Sequence, residues 1–144
     1  MVRFKNRYIL ARIRWGDKGQ SGAKVERSGV YRAIRDSISE NFGEFGLACV
    51  QRSLNLMYYC PVTNFCLVRA ARDHCAMVKQ ALALATAVQR RAMYFATLAV
   101  CGTTRTLKRA LLKQHRAVLA AAPEGPRRIE LAKEEQNIAD MEIT

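Results

Sequence analysis

The sequence has little of what commits a chain to a membrane, a metal or a catalytic centre. No apolar run approaches the ~20 residues that a membrane-spanning helix needs; the longest mostly apolar stretches are Ala81 to Val88 and Ala92 to Cys101. No charged-then-apolar leader with a small-residue cleavage site opens the chain, which predicts a soluble, intracellular protein with no membrane partner. The two histidines, His74 and His115, are far apart, and the five cysteines, Cys49, Cys60, Cys66, Cys75 and Cys101, are odd in number and form no Cys-x-x-Cys pair. A zinc site and a disulfide frame are therefore both poorly supplied, and the thiols are expected to be reduced and mostly buried. His74 and Cys75 make no catalytic pair by adjacency, because neighbouring helix residues point about 100° apart.

Acids are also scarce. There are 12 Asp+Glu against 24 Lys+Arg, a net charge of +12. Those before residue 122 are Asp17, Glu26, Asp36, Glu40, Glu44 and Asp73, scattered over loop and helix with no close pair on a strand end. General acid–base chemistry needs convergent groups, so no catalytic residue and no metal ligand is nominated. The loop from Gly16 to Gly22 lacks the Gly-Lys-Ser/Thr ending of a phosphate-binding loop.

What is present is positive charge, unevenly placed. Six of the twelve acids lie beyond Pro123, so residues 1–122 carry 21 bases against 6 acids, a net of +15. A body so basic repels itself unless a polyanion neutralises it, and nucleic acid is the commonest such partner. At this length the chain buries roughly two-thirds of its unfolded surface and stands as one domain. The division expected is an RNA-binding α/β domain over 1–122 and a flexible or partner-docked acidic tail over 123–144.

Periodicity supplies the elements. The first fifteen residues hold five bases, Arg3, Lys5, Arg7, Arg12 and Arg14, and no acid. From Tyr8 onward they alternate, with Ile9, Ala11 and Ile13 on one strand face and Tyr8, Leu10, Arg12 and Arg14 on the other. Such a strand is expected at the centre of a small sheet. Gly16 to Lys24 reads as a mobile loop. Val30, Ala33, Ile34, Ser37, Ile38 and Asn41 recur at three and four, predicting an amphipathic helix capped by Ser28 and stopped by Gly43. A strand is expected through Ala48, Val50, Leu54, Leu56 and Tyr58, with Arg52 snorkelling at a sheet edge, then a turn at Cys60 to Asn64 and a shorter strand, Phe65 to Ala70. Asp73 opens a helix that runs to about Val88. Met93 to Val100 is a last strand, apolar on both faces and expected inside the sheet. A final helix runs from Thr104 to about Ala121, where Pro123 and Pro126 end it. The order β-α-β-β-α-β-α predicts an α+β class: a ferredoxin-like, RRM-like βαββαβ sandwich, helices on one face, with an additional C-terminal helix.

Fold alone does not choose a function. Phe65 to Ala70 lacks the aromatic octamer of base-stacking RNA-recognition motifs, so shape and phosphate are the expected determinants. The final helix carries Arg105, Lys108, Arg109, Lys113 and Arg116 outward, with Leu107, Leu111, Gln114 and Val118 inward. No acid falls between Asp73 and Glu124, whereas a merely solvated helix mixes its charges. With the hydroxyls of Thr103 and Thr104 and the free amides at its start, this helix suits phosphate. In the N-terminal arm, Phe4 and Tyr8 interleave with Arg3, Lys5 and Arg7, a mixture fit for stacking and phosphate contact. An enzyme reading, a small acylphosphatase-like phosphatase, would rest on Arg7 and Asn6 at an anion cradle. A general structured-RNA or ribosome-associated protein is the third reading.

The residues also carry a family resemblance. Met1-Val-Arg-Phe-Lys-Asn-Arg-Tyr8, Ile34-Arg-Asp-Ser-Ile38, Phe42-Gly-Glu-Phe-Gly46, and Val100 with Gly102, Thr103, Arg105 and Thr106 resemble, in order and spacing over about residues 1–121, the "processing of precursors 5" small-subunit family of eukaryotic ribonuclease P and ribonuclease MRP. The loop at 16–24 and the tail lie outside the likeness. The resemblance implies a non-catalytic subunit that binds and stabilises a catalytic RNA. That RNA, with its own bound magnesium, removes 5′ leaders from precursor tRNA, and the protein itself binds no cofactor. It further implies a TIM-barrel-like protein partner, a second small α/β subunit, and a nuclear and nucleolar location.

Overall fold

The computed structural model describes residues 3–16 and 24–141; Met1, Val2, the loop residues 17–23 and the last three residues lie outside that range, and with them most of the loop expected to be mobile. The N-terminal strand is β1 (Asn6–Trp15). It is followed by helix α1 (Arg27–Val50), strands β2 (Asn55–Tyr59) and β3 (Phe65–Ala71), helix α2 (Cys75–Leu84), strands β4 (Ala87–Val88) and β5 (Arg91–Cys101), and helices α3 (Thr104–Ala121) and α4 (Pro126–Asp140). The strands form one antiparallel sheet of order β2-β3-β1-β5-β4, with β1 in the middle as its pattern predicts. Without the two-residue β4, the order β5-β1-β3-β2 is that of the split βαβ, ferredoxin-like α+β fold.

Helices cover both faces of this sheet, which corrects the expectation of one. Ile9, Ala11 and Ile13 of β1 pack with Val30, Ile34 and Ile38 of α1 and with Val78 and Leu82 of α2. Leu10 points the other way, into a second core with Phe65, Leu67, Cys101, Leu107, Leu111 and Ile138. Four consecutive residues of β3, Phe65 to Val68, are consequently buried, as in strands covered on both sides. Full burial of a Leu or Ile stabilises by about 1.5–3 kcal/mol, so the second face is a true core and not a veneer.

Several boundaries move. α1 begins at Arg27, so Glu26 occupies the cap position and Ser28 lies inside the first turn. Gly43, at φ 70 and ψ −175, breaks the helix as predicted, but the chain re-enters helix and continues to Val50. The strand expected from Ala48 therefore starts only at Asn55; Ala48 and Val50 show helical as well as alternating spacing, and the helix wins because Val50 reaches the core from it. Arg52 sits exposed in the turn between the two elements and not in a strand. Asp73 lies in a short 3-10 turn ahead of α2, which stops at Leu84, not Val88. The hairpin turn is as expected: Asn64, at φ 61, lets its N–H donate to the Cys60 carbonyl at 2.8 Å.

β5, predicted to lie inside the sheet, does so between β1 and β4, but among the described residues β4 is all that lies beyond it, and β4 pairs with just Ala92 and Arg91. The segment expected as a flexible or partner-docked tail contains α4, which packs on α3 of the same chain with Leu131 and Ile138 fully buried. All five cysteines are free thiols, three of them buried, and burial pushes the Cys66 thiol up to about 12.

Candidate nucleic-acid interface

α3 forms because its inner residues recur at four: Leu107, Leu111 and His115 are all buried. Its start is capped by Thr103, whose Oγ1 accepts from the Thr106 N–H at 3.3 Å and lies 2.7 Å from Thr106 Oγ1. The Thr103 oxygen expected to await a phosphate is thus engaged in the helix's own cap. Thr104, the first residue of the helix, is half-buried.

The outer surface of α3 carries two ridges at four-residue spacing. One is Arg105, Arg109 and Lys113, all exposed; the other is Lys108, Leu112 and Arg116, and between them runs a groove lined by these six residues. The ridges differ in what holds them. Lys108 Nζ donates to the carbonyls of Ala139 at 2.5 Å and Met141 at 3.0 Å, capping the end of α4. Arg116 Nε donates to Glu135 Oε1 at 2.7 Å. The acidic helix therefore engages one ridge and leaves Arg105, Arg109 and Lys113 facing solvent.

The N-terminal arm arrives at the same end of the molecule. Because Tyr8 pairs with Cys101, Arg7 falls beside Gly102, with its Nη1 3.6 Å from where a β-carbon on that glycine would stand. The sheet thus joins what the sequence presents as two patches, bringing Arg7 to the residues that start α3. Arg7 Nη1 also donates to the Asn6 backbone carbonyl at 3.2 Å. Lys5 is tethered through its carbonyl, which accepts from Arg72 N–H at 2.9 Å, while the side chains of Arg3, Phe4 and Lys5 stand exposed.

Two residues escaped the sequence reading. Arg12, placed on a charged strand face, is half-buried beneath α3 and α4: its Nε donates to the Thr63 carbonyl at 3.2 Å and its guanidinium lies 5.2 Å from the Phe65 ring centre. Burial, and then Arg14 and Arg127, lower its pKa below the ordinary arginine value. His115 is fully buried, its Nε2 bonded to the Leu131 carbonyl at 2.7 Å. The four-residue spacing from Leu107 through Leu111 to His115 was the available signal. The sheet face that base-stacking modules expose is occupied here by Leu10, Phe65 and Leu67 under α3 and α4, so it offers no platform to unstacked bases.

Comparison with known proteins gives the following likenesses. Residues 7–112 match the model of the Rpp14/Pop5 family. The chain is 32% identical over 118 residues to the probable ribonuclease P/MRP protein subunit POP5 of Arabidopsis thaliana, covering 78% of each. It is 26% identical over 125 residues to the ribonuclease P/MRP protein subunit POP5 of Schizosaccharomyces pombe, 81% of this chain and 90% of that one. Against the probable POP5 subunit of Dictyostelium discoideum it is 28% identical over 113 residues, and the match spans 66% of that relative's length. In structure it is similar to a chain of the cryo-EM structure of yeast ribonuclease MRP, with a TM-score of 0.60 at 11% identity over 98% of this chain and 99% of that chain, a likeness of fold.

Proposed function

The chain belongs to the Rpp14/Pop5 family, and on that premise we propose that it is a non-catalytic protein subunit of a ribonuclease P or ribonuclease MRP ribonucleoprotein. In that particle it binds and stabilises the RNA that removes 5′ leaders from precursor tRNA or processes ribosomal RNA. The single observation that carries the RNA contact is the exposed, acid-free ridge Arg105, Arg109 and Lys113, continued by Arg7 across Gly102.

The chemistry of such a surface is positional. Guanidinium groups at helical spacing meet phosphate oxygens through charge-assisted hydrogen bonds, which fix the register of an RNA backbone without reading its sequence. Arg3, Lys5 and Arg7 extend the contact along the N-terminal arm, and Thr103, Thr104, Arg105, Lys108, Arg109 and Lys113 supply it from α3. Thr103 and Lys108 take part only to the extent that the cap and α4 release them. Magnesium belongs to the RNA on this reading. A TIM-barrel-like subunit and a second small α/β subunit complete the protein partners, and the particle works in the nucleus and nucleolus.

The test is to tag the full chain, sequence the RNA that co-purifies and identify the accompanying proteins. Ribonuclease P or MRP RNA is the expected result. Ribosomal RNA alone, or no RNA, overturns the reading.

A further inference from the structure

Strand β5 leaves the sheet open. β4 pairs Ala87 with Ala92 and Val88 with Arg91, and Met93 N–H donates to the Thr86 carbonyl at 2.9 Å. From Tyr94 to Cys101, no strand among the described residues borders β5 on that side. The segment Tyr-Phe-Ala-Thr-Leu-Ala-Val-Cys carries no charge and no proline, and it exposes Tyr94 by 56%, Leu98 by 37% and Val100 by 43%. Proteins that stand alone blunt such an edge with lysine, proline or shortness, because its unpaired N–H and C=O groups are a template for another strand. Here the blunting device is one bulge: Ala11 faces Thr97 and Leu10 faces Ala99, so Leu98 is the extra residue.

We infer that the β5 edge is a docking site for a β-strand of a partner protein, apolar at its centre and acidic at the end that lies beside Tyr94. A row of unpaired backbone groups is satisfied by another extended backbone, as in strand addition, and not by a helix or an RNA. The exposed Tyr, Leu and Val side chains call for protein side chains and offer nothing to phosphate. Charge then selects among proteins. At the Tyr94 end, Arg14 stands directly opposite Tyr94 and Arg91 stacks on Trp15 at 4.2 Å. At the Cys101 end, Arg7 lies against Gly102 and Arg105 follows.

Both ends of the edge are therefore flanked by arginine. A second copy of this chain docked antiparallel would set the Arg14 end against the Arg7 end. Docked in parallel, it would set each end against itself. Either way cation meets cation, on top of a net charge of +12 per chain. A strand acidic at the end beside Tyr94 meets Arg14 favourably and leaves Arg7 and Arg105 to RNA, and the bulge confines its pairing to Tyr94–Thr97, with Leu98 and Val100 packing beside it.

The experiment replaces Tyr94 with p-benzoylphenylalanine in the full tagged chain, irradiates the purified native particle, and maps the crosslinked peptides by mass spectrometry. In parallel, amide hydrogen exchange of residues 94–97 is compared in the free chain and in the particle. The expected result is a crosslink to one recurrent protein segment with slowed exchange at those amides. Leu98→Lys with Val100→Lys, or Thr97→Lys alone at its exposed position, should abolish the crosslink. The purified variants should keep a cooperative thermal transition and bind RNA within about twofold of the parent. A crosslink to RNA or to a second copy, unchanged exchange on assembly, or a crosslink that survives Thr97→Lys overturns the inference. Because RNA affinity is read on the same variants, failure here is distinct from failure of the RNA-binding role.

Discussion

The phenol of Tyr58, on border strand β2, donates to Glu134 Oε1 of α4 at 2.5 Å, which fastens the last helix of the chain to the hairpin across the second core. Burial, and then this hydrogen bond, raise the Tyr58 pKa well above its ordinary value of 10.0. Burial also raises Tyr59 to about 12 and Cys66, ordinarily 9.0, to about 12. All three groups hold their protons more tightly in the folded chain. Their contribution to stability is therefore whole below pH about 9, falls as pH rises through the unfolded values, and goes on falling toward 12. Denaturant unfolding followed from pH 8 to 11 should show a steady loss above 9, and Tyr58→Phe should flatten the part of that loss above 10. A stability constant over the range would contradict the burial of these groups.

RNA affinity should depend steeply on salt. If about six or more phosphates are engaged, binding falls on the order of 10³-fold or more between roughly 50 and 200 mM monovalent salt. Arg105→Ala with Arg109→Ala should weaken binding by tenfold or more and lower the salt slope, while the thermal transition stays where it was, since both side chains are exposed. Filter binding and a melting curve on the same samples read both effects.

The packing of α4 can be tested by contrast. Ile138 is fully buried in the second core, whereas Ile129, on the same helix, is 60% exposed. Ile138→Ala should cost about 2–5 kcal/mol in denaturant unfolding, and Ile129→Ala no more than about 0.5 kcal/mol. Equal effects would mean that α4 is not held as described.

Gly43 should resist substitution for a reason unrelated to space. A β-carbon there meets nothing within 4 Å, but φ 70 with ψ −175 is a backbone region that essentially only glycine enters. Gly43→Ala should destabilise by about 1–3 kcal/mol, detected as a lower midpoint with an unchanged denaturant slope.

The core of the fold was legible because its signal is local. The alternation of Ile9, Ala11 and Ile13, the Cys60 to Asn64 turn and the four-residue spacing in α3 each follow from a few neighbouring residues. What was not legible depends on partners distant in sequence. Leu10 reads as a lone apolar residue on a charged face until Leu107, Leu111 and Ile138 are folded over it. Arg12 reads as surface charge until Phe65 and the Thr63 carbonyl come beneath it. The exposed ridge of α3 was visible as composition. Its junction with Arg7 was not, because only the Tyr8 to Cys101 register brings the arm to Gly102. The apolar run of β5 signalled burial; Met93, Phe95 and Cys101 are indeed buried, but among the described residues only β4 borders the strand's outer edge.

The contacts of Lys108 and Arg116 with α4 give that helix a role akin to a built-in counterion. The exposed Arg116–Glu135 pair contributes at most about 1 kcal/mol, so an RNA phosphate can displace it. When it does, the group released is a tethered carboxylate and not a free salt ion, and no entropy of dilution follows. The measured salt slope should then undercount the phosphates in contact, and Glu135→Ala should restore the difference while leaving stability nearly unchanged.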